Sequence, residues 1–377
     1  MLTHQLSCPR KIALALVCIC FCLFASACQS TGKPLVNNTQ GISTTNGTDQ
    51  TGTSNHSTIV QAPSPDSSNA QPQMQKNGGT RAPYPTSPTT ASNTASPFYF
   101  AMGSEASGAL KTPLVQQSPV KMLTSWYNSH NDLSWITSWH SSFIPSLYAK
   151  GYVLQLVVWS GDPEVNLNTR YGPACGRAYP LSSQFLQDMV PLAKTFQGNG
   201  SLYVSLFAEF STYTCQDNQW IGNENYYRVL KDQYRAALSI FHTYAPNARV
   251  SICWGGWIGR YDDPKVIGGR SFINKFSDIM SISDFQSFQS METDSNVGDV
   301  QNMTSILHQW GRVLLAYYAT SPATFNIDVH AMFTNAYMAK VIANGLFGFG
   351  FMTNQNLSAS NSPFTFVKNA VMNYARS

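Results

Sequence analysis

One carboxylate, Glu209, stands in the stretch SLYVSLFAEFSTYTC at residues 201–215. The run opens with alternating large and small residues, as a buried strand does, and then meets an acid, a ring and a cluster of hydroxyls. An acid carried at the end of a buried strand is placed to give or take a proton. Apolar neighbours such as Phe207 and Phe210 would disfavour its charge and raise its pKa toward a working value. Proton transfer of this kind is commonly shared with a second group. Asp284 and Glu292, within and just beyond DIMSISDFQSFQSME, are the acids best placed by sequence, Asp162 comes next, and the phenol Tyr317 in VLLAYYATS is a further candidate. Around them stand the flat rings of Trp126, Trp159, Trp254, Trp257 and Tyr318 and the amide of Gln286. Indoles and phenols offer an apolar face with a polar edge. Sugars present the complement, apolar C–H faces and hydroxyl edges, so this set of side chains points to a saccharide ligand.

The elements that must carry these residues are legible as alternation. Strand-like runs lie at 98–103, 120–127, 152–159, 201–210, 249–257, 278–285, 312–319 and 346–353, and helix-like runs separate most of them. The clearest helix is NYYRVLKDQYRAALSIFHTYA, with apolar residues at helical spacing. Buried strands alternating with helices over about 280 residues predict an α/β fold, a (β/α)8 TIM barrel over residues 98–377. An open doubly wound sheet shows the same alternation, but no Gly-rich phosphate loop with a following helix comes after the first strand; GSEASG at 103–108 is a poor imitation. In such barrels the site lies at the C-terminal ends of the strands, which is where most of the acids and rings named above fall.

The N-terminal third is different material. Arg10 and Lys11 precede the uncharged run IALALVCICFCLFASAC, short for a membrane span and ending in small residues. Residues 1–27 resemble a bacterial lipoprotein signal ahead of a lipid-accepting Cys28, with Ala25 where leucine is usual. Residues 28–97 are rich in Ser, Thr, Asn, Gln, Pro and Gly; they cannot bury enough apolar surface to offset the entropy of ordering and are expected to be a disordered tether with a reach of about 45 Å. The expected location is outside the cell, anchored to its membrane. Cys253 sits in an apolar run as a buried thiol, while Cys175 and Cys215 lie in two loops and could pair in an oxidising compartment. A net charge of +4 without a basic cluster argues against nucleic acid as a partner. The seven histidines, with His130 and His140 the one close pair in the barrel, match no zinc spacing. No metal or cofactor is expected, and a monomer is.

With these residues in place, the stretch 98–377 resembles the barrel glycoside hydrolases and most nearly glycoside hydrolase family 26, which includes β-mannanases. LFAEF matches the position of that family's acid/base glutamate, NYYRVLKDQYRAALSIFHTYAPNARVSICWGGW its next helix and tryptophan-bearing fifth strand, and DIMSISDFQSF its sixth. The resemblance implies an extracellular hydrolase of a β-linked polysaccharide or oligosaccharide with Glu209 as general acid/base. The sequence departs from the pattern in three places. Ala208 replaces a histidine, Ser205 an arginine, and Tyr317 stands where the nucleophile glutamate belongs. Retention through two carboxyl groups needs them about 5–5.5 Å apart, and inversion about 6.5–9.5 Å. Asp284, Glu292 or Asp162 as partner, Tyr317 as nucleophile, or a catalytically inactive glycan-binding barrel all remain open at this point.

Overall fold

The computed structural model describes residues 97–375, apart from 104, 213–223, 292–293, 354 and 360–361. Residues 1–96, which hold the expected signal, Cys28 and nearly all of the expected tether, lie outside the described residues, as do Cys215 and Glu292. Short apolar strands dominate the rest: β1 Tyr99–Met102, β2 Met122–Tyr127, β3 Val153–Val158, β4 Glu164–Thr169, β5 Gly172–Arg177, β6 Leu202–Leu206, β7 Ala248–Gly255, β8 Gln286–Ser290, β9 Val313–Tyr318 and β10 Leu346–Phe351. Eight of them close into a barrel in the order β1-β10-β9-β8-β7-β6-β3-β2, every pairing parallel. This is the (β/α)8 TIM barrel that the alternation predicts. β4 and β5 stand apart as an antiparallel hairpin inserted after β3.

The pleat sorts each strand's side chains. Leu123, Tyr127, Leu154, Leu156, Val204, Leu206, Val250 and Ile252 face outward into one large core shared with the helices. Helix Ser183–Phe196 meets them with Phe185, Met189, Leu192 and Phe196, spaced to lie along one face, and its first turn is capped by the Ser182 side chain accepting from the Phe185 N–H. Each such side chain removed from water is worth about 1.5–3 kcal/mol. The alternate residues fill the barrel in layers. Ala101, Met122, Tyr203, Phe285, Leu314 and Phe347 pack at its N-terminal end. Trp126, Val157, Ala208, Cys253, Ala316 and Tyr317 pack at its C-terminal end. Between them lies a buried polar layer of Thr124, Gln155, Ser205, Ser251 and Ser287, in which Thr124 donates to Gln155 Oε1 (2.9 Å), Gln155 Nε2 to the Ala316 carbonyl (3.0 Å) and Ser287 to the Ile252 carbonyl (3.0 Å).

Two readings of the sequence shift in detail. The run at 278–285 is not a strand: Ser277–Met280 is a helical turn, and the strand starts at Gln286. The hairpin at 164–177 does not appear in the sequence reading at all. Its strands are half-exposed and polar, so they lack the apolar runs by which the barrel strands are recognised.

Candidate active site

Glu209 owes its position to a break in the strand pattern. Continued alternation along β6 would point Phe207 into the barrel after Tyr203 and Ser205. Instead Phe207 and Glu209 both adopt left-handed backbone, φ 55° and 63°, a conformation that non-glycine residues rarely take. The turn is held by Ala208 N–H donating to the Val158 carbonyl and Phe210 N–H to the Phe207 carbonyl, each at 2.9 Å. Its effect is to send Phe207 outward, stacked on Phe185 with ring centroids 5.0 Å apart. Ala208 turns inward into the upper layer, and Glu209 sits over the mouth. Two strained residues in three positions, at the C-terminal end of a barrel strand, mark a place where the backbone is shaped for something other than stability.

The neighbours of the carboxyl come from four directions. Tyr317 donates its hydroxyl to Glu209 Oε1 at 3.2 Å, and the Trp159 indole hydrogen-bonds the same carboxyl. Trp126 meets the Tyr317 ring edge-on at 4.6 Å. The Arg177 guanidinium, from β5, lies 5.1 Å from the Trp159 ring centroid and places positive charge near Glu209. Burial dominates the electrostatics and raises the Glu209 pKa; the charge of Arg177 and the hydrogen bonds from Tyr317 and Trp159 work against it without cancelling it. Beneath, burial pushes the Cys253 thiol far up, and the Glu209 charge adds to this, so Cys253 is a neutral packing residue.

Tyr317 reaches the site through a second irregularity. In the β8–β9 ladder Phe288 pairs with Leu315 but Gln289 pairs with Tyr317. This is a bulge, which re-aims the residues after it. Ala316 and Tyr317 therefore both face the barrel interior, and Tyr318 is turned outward into the helix-facing core, donating to Asp328 Oδ2 at 2.8 Å.

The structure thus gathers Glu209, Tyr317, Trp126 and Trp159 and removes others. Tyr318 is buried and bonded as described, so it is not a ligand contact. Trp254 is fully buried against Phe210, Phe272 and Phe276, because the β7 alternation that turns Cys253 inward turns Trp254 outward. Asp284 and Gln286 are corrected for a different reason: they precede and begin β8, at the N-terminal end of the barrel. There Asp284 Oδ2 accepts from the Val250 N–H (2.9 Å) and pairs with His242 (2.6 Å). Gln286 donates to the carbonyls of Met280 and Trp310. Asp284 cannot partner Glu209 from the opposite end of the barrel. Trp257 lies half-buried just past the end of β7, its ring close over Gly255, where a Cβ would stand 2.5 Å from it. Asp162 Oδ2 accepts from the Tyr179 N–H at 3.0 Å and so fastens the far side of the hairpin. Cys175 is disulfide-bonded.

Sequence reasoning missed Arg177, for which the only local signal is the turn-forming YGP at 171–173 between two short polar runs. It also missed a buried knot beside the site. Asp188 accepts from Tyr127 (2.9 Å), Tyr179 (2.6 Å) and Gln184 (2.7 Å) and pairs with His130 (2.9 Å). The two phenol oxygens also lie against each other. Burial opposes the Asp188 charge, but these hydrogen bonds outweigh it and lower its pKa.

No family model matches this chain, and no curated protein does. Solved structures resemble it over about three quarters of its length. A thermostable mutant of a xylanase from Cellvibrio japonicus is 12% identical, with a TM-score of 0.42 over 74% of this chain and 98% of that one. An endo-1,4-β-mannanase from Eisenia fetida is 14% identical, TM-score 0.43, over 76% and 93%. A β-galactosidase from Bacillus circulans sp. alkalophilus is 10% identical, TM-score 0.48, over 75% and 56%.

Proposed function

We propose that the chain is an extracellular glycoside hydrolase that cuts a β-linked polysaccharide, with Glu209 as its general acid/base. The observation that carries this reading is the Glu209 carboxyl itself. It is held on a strained turn at the C-terminal end of β6, with its protonated form favoured by burial and its orientation fixed by Tyr317 and Trp159. A carboxylic acid that burial makes hold its proton more firmly than usual can pass it to the glycosidic oxygen as that bond breaks. Trp126, Trp159 and Trp257 supply the rings against which a sugar face would lie, and Asp162 an acid at the hairpin base. The substrate would be a glycan of the mannan, xylan or β-glucan type, bound by a monomer. The anchor belongs to the same proposal: residues 1–27 as signal, a lipid on Cys28 and residues 28–97 as a tether to the membrane. What supports it is the apolar run, the small residues before Cys28 and the composition that follows.

The second catalytic group comes from Glu292 or Tyr317. Glu292 follows β8 closely in sequence. In a retaining cycle the Tyr317 oxygen would attack the anomeric carbon while Glu209 gives its proton to the leaving glycosidic oxygen, and the phenolic proton would pass to a separate base, for which Glu292 is the candidate. A tyrosine can serve as nucleophile in this way. A second reading, a barrel that binds glycan without cutting it, follows from the resemblance, in which Tyr317 stands where a nucleophile carboxylate is expected.

The test is to incubate the purified chain with β-mannans, xylans and β-glucans and assay new reducing ends. One polymer is cut by the wild type, and Glu209→Gln lowers the rate by about 10²–10⁴-fold. Glu292→Gln and Tyr317→Phe then identify the partner as whichever abolishes the remaining chemistry. Binding without cleavage in both wild type and Glu209→Gln selects the non-catalytic reading.

A further inference from the structure

The β4–β5 hairpin is fastened at every point at which a lid would have to move. At its tip, Thr169 Oγ1 donates to the Gly172 carbonyl (2.7 Å), and Tyr171 donates to Asp232 on helix Glu224–Tyr244 (2.7 Å). Along β5, Asn225 Nδ2 donates to the Pro173 carbonyl and the Tyr226 hydroxyl to the Arg177 carbonyl, both at 3.0 Å. Cys175 is tied by its disulfide. At the exit from the hairpin, Asp162 holds the Tyr179 N–H. A hairpin this fixed is a bracket, and its last residue aims a guanidinium at the barrel mouth. Arg suits that post because its planar group stays charged and stacks on aromatic faces.

We infer that Arg177 is a positioning residue for Glu209: the bracket sets its guanidinium against the Trp159 ring, and together they hold the carboxyl and its charge in the working arrangement. The inference rests on the reading of Glu209 as the acid. Groups acting on that carboxyl include Arg177 from β5, Trp159 after β3, Tyr317 from β9 and, below, Cys253 from β7. Glu164 stands directly across the ladder from Arg177 and shares its face of the hairpin. Of these, Arg177 alone brings positive charge. Its cation favours the ionised carboxyl and so keeps the Glu209 proton from being held too tightly to be passed on.

The chain contains five glutamates, so carboxyl-labelled glutamate in the full chain gives few NMR signals, and that of Glu209 is the one lost in Glu209→Gln. We expect the Glu209 midpoint to lie above those of the exposed glutamates in the wild type. It moves higher by about one pH unit or more in Arg177→Met and returns close to wild type in Arg177→Lys. A midpoint unmoved in folded Arg177→Met overturns the inference. Should that variant not fold, the unmodified protein decides: one arginine Nε resonance must step at the Glu209 midpoint, and a flat profile for every arginine overturns it equally. Hydrolysis is read separately. A shifted midpoint without hydrolysis by the wild type removes the enzyme reading and keeps the clamp, while hydrolysis with an unmoved midpoint does the reverse.

Discussion

At the residue scale, Glu209 carries a stability signature that needs no substrate. Its pKa is raised in the folded chain. Below the ordinary carboxylate range both folded and unfolded chains hold the proton, and the group costs nothing. As pH rises toward the folded pKa the unfolded chain ionises first, and stability is lost. Glu209→Gln is therefore expected to melt higher than wild type at pH 7, with the gap closing near about pH 4; a gap independent of pH would show that the carboxyl is solvated. The indoles divide by the same logic of surroundings. Trp254→Ala is expected to cost about 3–5 kcal/mol in urea unfolding, since it empties a fully buried site. Trp257→Ala should leave stability nearly unchanged and weaken binding of whichever polymer is cut. Glu209, Trp126 and Trp159 were legible in the sequence because each ends or follows an apolar run. Trp254 was not, because position along a strand says nothing of side until the pleat is phased.

At the scale of elements, what decides the site is where regular structure fails. The left-handed turn after β6 swaps Phe207 for Ala208 in the barrel lining, and the β9 bulge swaps Tyr318 for Tyr317. Neither is written in local composition; both follow from fitting eight strands around one axis. The Asp188 knot links β2 to helix Ser183–Phe196 through Tyr127, Tyr179, Gln184 and His130. Asp188→Asn exchanges an acceptor-only carboxylate for an amide that cannot accept from all four. A loss of about 2–3 kcal/mol is expected by urea titration. The Asp188 pKa is lowered on folding, so its contribution is full above the ordinary carboxylate pKa and disappears as pH falls through the folded value. The wild-type advantage over Asp188→Asn must then shrink in acid, and an advantage that holds at low pH would assign the knot to packing alone.

At the scale of the whole molecule, barrel closure depends on close backbone approach. A Cβ at Gly350 would lie 2.3 Å from the Ala316 carbonyl oxygen, and backbone at that distance cannot yield as a side chain end can. Gly350→Ala is expected to destabilise by about 1–3 kcal/mol or more, and since Ala316 precedes Tyr317 it should disturb the site along with the fold; a variant as stable as wild type would show that β9 and β10 can part without cost.

The sequence by itself determined the class of the fold and one acid. Apolar runs of strand length alternating with amphipathic helices leave few ways to bury both faces, and Glu209 interrupts such a run where its strand must end. Tertiary structure decided the rest. It put Asp284 and Gln286 at the wrong end of the barrel, because where a strand begins within DIMSISDFQSFQS is set by its neighbours in the ladder. It brought Arg177 to Glu209 from a hairpin with no apolar signature. It chose Tyr317 over Tyr318 by a one-residue bulge. Each of these depends on contacts between residues far apart in the chain, and period and composition, which are local, carry no record of them.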